Sequence, residues 1–223
     1  MNRKRIGVMF GLVALAGLGC ATAAKDGGWI SLFDGTTLNG WVQKNGLATY
    51  RAENGTIVGR SATNSPNSFL CSEREFGDFE LTFDVKLSNP ELNSGVQIRS
   101  QTKPPTGNEQ FGRVNGPQVE IAAGNDTGSD SGYVYGEACG GWMTPDATRV
   151  YHKAFKPTDW NSYRVIAKGP RIQTWINGQP IGDLVDDAKF ASHPKGFIGL
   201  QVHGVGDKGP FEVAWRNIKI RPL

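Results

Sequence analysis

The 223-residue chain carries 24 Lys and Arg against 21 Asp and Glu, a formal charge of +3. Three of those cations, Arg3, Lys4 and Arg5, lie in the first 24 residues, which hold no acid. The remainder is therefore formally neutral and calls for neither nucleic acid nor an anionic membrane as partner. About 200 residues suit one all-β domain with a core large enough to need no covalent staples.

Residues 1–24 read as a targeting segment. The basic Arg3–Arg5 stretch precedes an apolar run, 6–18, that is too short for a membrane span. Two processing routes stay open. Ala21-Thr22-Ala23 resembles a signal-peptidase site, and Gly17-Leu18-Gly19-Cys20 resembles a lipoprotein box with Cys20 as the lipidated residue. Either route implies export, to the periplasm, to an outer-membrane lipid anchor or to the medium, and leaves 25–223 as the folded domain. There, an oxidising compartment permits a Cys71–Cys139 disulfide, while the apolar run around Cys71 reads equally well as core.

From Trp29 onward the pattern is strands and turns. An apolar stretch at 30–33 is followed by Asp34-Gly35 and Asn39-Gly40-Trp41. Asn54-Gly55 joins 50–53 to 56–58 as a hairpin, and Asn177-Gly178 joins 171–176 to 179–184 in the same way. Residues 69–72 form a strand candidate, and 79–87 alternate without a break, sending Phe79, Leu81, Phe83, Val85 and Leu87 toward a core. A strand at 96–99 leads into a long polar loop, 100–116. A short strand at 118–121 precedes a Gly, Asn and Asp-rich loop. Tyr133-Val134-Tyr135 is followed by a Gly-rich loop, 136–146, that contains Trp142. Strands at 160–167, 196–203 and 211–221 complete the pattern, with about one helical turn near 186–190. Many short strands with regular turns argue for a β-sandwich.

Three strands share an unusual alternation. Val96 and Ile98 oppose Gln97 and Arg99. Val119 and Ile121 oppose Gln118 and Glu120. Leu200 and Val202 oppose Gln201 and His203. A merely solvated face more often carries Lys, Thr and Ser. If the strands are neighbours, Arg99, Gln118, Glu120, Gln201 and His203 share one polar surface. Glu and His transfer protons, Arg fixes an oxyanion or carbonyl, and Gln and Asn amides suit hydroxyls. Trp142, Tyr133 and Tyr135 in adjoining segments can stack on a sugar ring. His152 and His193 receive no role, and neither Cys nor His spacing suggests zinc.

These stretches resemble the 3-keto-disaccharide hydrolase domain family, formerly a domain of unknown function. The resemblance rests on Ser31 to Gly35 with Leu38 to Trp41, Phe76 to Leu81, Asn93 to Val96, Gln118 to Ile121, Tyr133 to Gly136, Trp160 to Tyr163, Ile172 to Gly178, Gly199 to Gly204 and Val213 to Ile218. It implies a concanavalin A-like jelly roll of two antiparallel sheets with a concave ligand face. It also implies hydrolysis of glycosides oxidised at C3, whose ketone acidifies the C2 proton. On that basis Glu120 is the expected base and His203 the acid or a metal-linked group. Arg99, Gln118, Gln201, Gln97, Asn93, Tyr135 and Trp142 are the expected sugar contacts. A divalent metal on Glu120 and His203 with a loop Asp or Asn is allowed by the resemblance but demanded by no ligand spacing. Two other readings stand beside this one. A non-catalytic carbohydrate-binding or adhesion domain needs no base. A retaining glycosidase needs a second carboxylate about 5 Å from Glu120, absent from its own strand unless Glu137 or Asp84 comes close.

Overall fold

The computed structural model describes residues 27–107 and 110–223. Residues 1–24, expected to be a targeting segment, and Cys20 among them lie outside the described residues. Fifteen strands and one short helix follow in chain order: β1 Ile30–Ser31, β2 Trp41–Lys44, β3 Thr49–Glu53, β4 Thr56–Arg60, β5 Ser68–Phe76, β6 Phe79–Leu87, β7 Ser94–Lys103, β8 Arg113–Ile121, β9 Val134–Glu137, β10 Gly141–Trp142, β11 Asn161–Lys168, β12 Arg171–Ile176, β13 Gln179–Val185, α1 Asp187–Ser192, β14 Gly196–Val202 and β15 Glu212–Pro222.

They form two antiparallel sheets. One runs β13-β12-β11-β6-β15-β4-β3, with β1 also on β15; the other runs β10-β9-β8-β7-β14-β5-β2. The fold is thus an all-β jelly-roll sandwich. Alternation explains how the sheets close on each other. In β6 the five apolar residues from Phe79 to Leu87 are all buried. Facing them are Val96, Ile98, Val119, Ile121, Leu200 and Val202 from the second sheet, also buried. Each of these strands turns one face to the core between the sheets; in β7, β8 and β14 most residues of the opposite face are buried as well. Both Asn-Gly hairpins are present, with Asn54 and Asn177 at positive φ as such turns require.

Three expectations change. The long loop at 100–116 shrinks, because β7 continues to Lys103 and β8 starts at Arg113. The Gly-rich segment after Tyr135 is a continuation of β9 followed by the short partner β10, which pairs Trp142 with Tyr135. Cys71 and Cys139 are both free; Cys71 is core, and burial pushes its thiol up. The helical turn anticipated near 186–190 is α1, capped by the Asp186 side chain accepting from the Lys189 backbone N–H.

Candidate active-site cleft

The outer face of the second sheet carries a cleft of about 370 Å³. Strand pairing assembles its floor: Gly95 lies opposite Glu120, and Gln97 lies opposite Gln118 on the β7–β8 ladder. On the other side of β7, Gly199 pairs with Gln97 and Leu200 with Val96, which sets Gln201 beside Gly95. Gly95 is required here. A Cβ at that position would lie 2.4 Å from Cδ of Gln118, whose amide crosses the bare backbone.

Glu120, Gln118, Gln201 and His203 line this cleft, as the alternation anticipates, and Asn93, Tyr135 and Trp142 line it with them. Asn67, Arg113 and Glu137 join them; the sequence reading gave none of these a place in the cleft. Glu137 sits opposite Gly116 on the β8–β9 ladder, four positions from Glu120 along the strand direction. That places the two backbone anchors about 14 Å apart. A cue for Glu137 was present: the alternation of Tyr133 and Tyr135 continues across Gly136. The conditional second carboxylate is therefore Glu137. Asp84 instead lies in the other sheet, held by Ser162, Arg216 and Asn217.

Gln97 lies under the floor rather than in the cleft wall. It is fully buried, and its Nε2 donates to Oε1 of Gln118 at 2.7 Å.

Arg99 departs from expectation. The β7–β8 register shifts between Gln97 and Gln101, and Arg99 has φ +50°. This bulge breaks the alternation that would have aimed Arg99 beside Gln97. Its buried guanidinium instead donates to the carbonyls of Gly77 (2.7 Å) and Gly169 (2.6 Å) and to Asp78 (2.8 Å). It also lies over the rings of Phe79 and Phe190. Arg99 is an anchor between sheets, not a sugar contact.

Glu120 is only 6% exposed. Burial pushes its carboxyl up to about 7; N–H donors from Asn93 and Gln118 oppose that, and nearby Asp130 and Glu137 add to it. Asn93 donates to Oε1, and Gln118 donates to Oε2 at 3.1 Å. Glu137 is likewise raised by burial and opposed by Arg113, an Asn67 hydrogen bond and His203. The Nδ1 of His203 donates to the Gly204 carbonyl at 2.7 Å, so the neutral ring keeps its lone pair on Nε2. Gln201 is fully buried, yet neither its Nε2 nor its Oε1 has a protein partner. At one wall Trp142 packs edge-on against Tyr135 with ring centroids 5.4 Å apart. Arg149 sits 4.1 Å over the Trp142 ring, pinned by Asp130 and Asp146.

The described residues assemble no cluster of carboxylate, histidine and thiol side chains for a divalent metal. Both Glu120 oxygens face amide N–H groups rather than further oxygen ligands.

Fold and cleft together define a lectin-like β-sandwich with an amide-rich, aromatic-walled pocket on one sheet, the class in which carbohydrate-related domains are found. Within that class the chain belongs to the 3-keto-alpha-glucoside-1,2-lyase-like domain family, whose sequence model matches residues 28–221. No curated protein matches it in sequence. Among solved structures it is similar to a putative glycosyl hydrolase from Parabacteroides distasonis (21% identity, 88% of this chain and 94% of that one, TM-score 0.59). It is also similar to a carbohydrate-binding module, CBM66, from Bacillus subtilis (16%, 83% and 98%, TM-score 0.55). A Bacillus subtilis protein of unknown function with a galectin-like fold is similar too (12%, 82% and 90%, TM-score 0.56). At these identities the solved structures speak for the fold alone.

Proposed function

We propose that the protein cleaves 3-keto-glycosides by elimination across C1–C2, with Glu120 as the base. The observation that carries this is a buried carboxylate raised to about 7, in a cleft that also offers an unpartnered amide at Gln201. A base is most effective when its pKa lies near the working pH. The C3 ketone makes C2–H acidic. Glu120 takes that proton, and the electron pair forms the enolate with its charge on O3. Arg113 and the Gln201 N–H are the donors for that charge. The enolate collapses, C1=C2 forms and the C1–O bond breaks. The departing oxygen takes a proton carried on Nε2 of His203, which is left as the neutral ring with its lone pair on Nε2. This first half is the 1,2-lyase step in the family's description; water then adds at C1 and gives a proton to His203 Nε2 while Glu120 returns its proton to C2, which completes a hydrolysis and restores both groups. Tyr135 and Trp142 supply the apolar wall for the ring. With residues 1–24 read as an export signal, this chemistry takes place outside the cytoplasm.

Glu120→Gln keeps the shape and removes the base. Turnover of a 3-keto-glucoside is expected to fall by about 10³-fold or more, with sugar affinity in calorimetry within a few fold. Unchanged turnover would overturn the proposal. Binding without turnover in the unaltered protein would favour the binding-domain reading.

Glu137 supports a second reading, a two-carboxylate glycosidase. That mechanism leaves C2–H untouched and needs carboxyls about 5 Å apart for retention or 6.5–9.5 Å for inversion. Retention of a C2 deuterium through turnover would favour it.

A further inference from the structure

The Glu120 carboxylate is the end of a longer chain. Ser100 Oγ donates to Gln97 Oε1 at 2.7 Å, Gln97 Nε2 to Gln118 Oε1 at 2.7 Å, and Gln118 Nε2 to Glu120 Oε2 at 3.1 Å. Ser100 and Gln97 are fully buried, and Gln118 is 2% exposed, so water does not substitute for a missing link. The direction of every bond follows from one charge. An ionised carboxylate only accepts, so Gln118 must turn its NH2 to Glu120 and its oxygen to Gln97. Gln97 then turns its NH2 to Gln118 and its oxygen to Ser100, so a donor must complete the run, and here it is the Ser100 hydroxyl.

The backbone is shaped to put that hydroxyl there. The bulge that diverts Arg99 brings Ser100 under β8. A Cβ on Gly116, which has φ +138°, would lie 2.5 Å from Ser100 Oγ, and a Cβ on Gly196 would lie 2.2 Å from the Ser100 carbonyl oxygen. The three Arg99 hydrogen bonds hold the bulge in place. Ser100 also has two alternative acceptors, the carbonyls of Ile98 (3.2 Å) and Pro117 (3.3 Å). A hydroxyl is the one group in the run that can reverse without moving a heavy atom. When Glu120 takes a proton and offers it to Gln118, both amides can turn over, and Ser100 then accepts from Gln97 and donates to a carbonyl.

We infer that Ser100, through Gln97 and Gln118, is a positioning residue that fixes the hydrogen-bond polarity at Glu120 and lets it invert when the proton arrives. The inference rests on Glu120 as the proton-transfer group. It also reassigns Gln97 and Gln118 from sugar contacts to an internal wire. The charged groups acting on Glu120 are Asp130 and Glu137; Arg113 and His203 line the same cleft and act on Glu137, and the Tyr163 hydroxyl lies 3.5 Å from the Glu120 backbone oxygen. None of them belongs to the wire, so the variants below leave them in place.

The test reads the protein without substrate. The Glu120 side-chain carbon is followed by 13C NMR against pH and assigned by its loss in Glu120→Gln. In the unaltered protein the side-chain NH2 resonances of Gln97 and Gln118 are expected to shift with the same midpoint as Glu120. In Ser100→Ala, and independently in Gln97→Met, the amide of Gln118 is free to turn, and the midpoint is expected to rise by about one pH unit. Amide resonances that ignore the Glu120 midpoint, or a midpoint unmoved in whichever variants fold, would overturn the inference. Turnover of a 3-keto-glucoside is a separate arm. Its absence in the unaltered protein sinks the proposed reaction while the NMR result still decides the wire.

Discussion

Gln201 poses the sharpest question at the scale of single residues. A buried carboxamide with neither atom paired costs about 1–3 kcal/mol, and no protein group pairs with the Gln201 amide. Gln201 lines the cleft, so a ligand there, or an ordered water, completes the group. Gln201→Met is therefore expected to leave the free protein as stable as before, or about 1 kcal/mol more stable, while sugar affinity drops by about tenfold. Denaturant titration and calorimetry on the same variant check both halves; a destabilised variant with unchanged affinity would contradict the account. Glu120 makes a related prediction about pH. Its folded pKa of about 7 lies above its ordinary value of 4.5. Between those values the folded chain binds more protons than the unfolded one, so stability falls as pH rises from 4.5 toward 7. The loss is about 3 kcal/mol, and it should disappear in Glu120→Gln when unfolding is compared at pH 5 and pH 8. Activity moves the opposite way, rising as Glu120 ionises. At this scale the sequence was informative where alternation held, as for Gln118, Glu120 and Gln201. It was silent on Arg113 and Asn67, whose places come from chain ends meeting across strands far apart in sequence.

The strand is the next scale, and β7 shows both the strength and the limit of pattern reading. Its first half obeys the two-residue period and delivers Gln97 to the face shared with Gln118. Its second half contains one extra residue, and every assignment beyond that point changes. Nothing in Ile98-Arg99-Ser100 announces a bulge. It becomes visible only against Gly196 of β14 and Gly116 of β8, which leave room for it. Arg99→Ala is accordingly expected to cost about 3 kcal/mol of stability, since the carbonyls of Gly77 and Gly169 and the Asp78 carboxylate lose their donors. A sugar contact would show the reverse, weaker binding with little change in stability. Gly95→Ala separates floor from core. The added methyl meets Gln118 rather than an apolar neighbour, so turnover should fall well before stability does.

For the molecule as a whole, the sandwich and its family were legible because they rest on repeated local signals: two Asn-Gly hairpins, the unbroken alternation of β6, and motifs spread from 31 to 218. Pairing between distant strands was not legible, and the cleft depends on it. The β5-β14-β7-β8-β9 order brings Asn67, His203, Asn93, Glu120 and Glu137 to one pocket from segments spanning 137 residues. The two sheets hold that order by burying a common core, with Trp215 the largest fully enclosed side chain. The central claim is that the cleft removes a proton from carbon beside a ketone, and one measurement reaches it directly. A 3-keto-glucoside carrying deuterium at C2 should turn over more slowly than its protium form and lose the label to water. Equal rates, with deuterium retained in the product, would contradict proton abstraction by Glu120 and return the cleft to two-carboxylate glycoside chemistry.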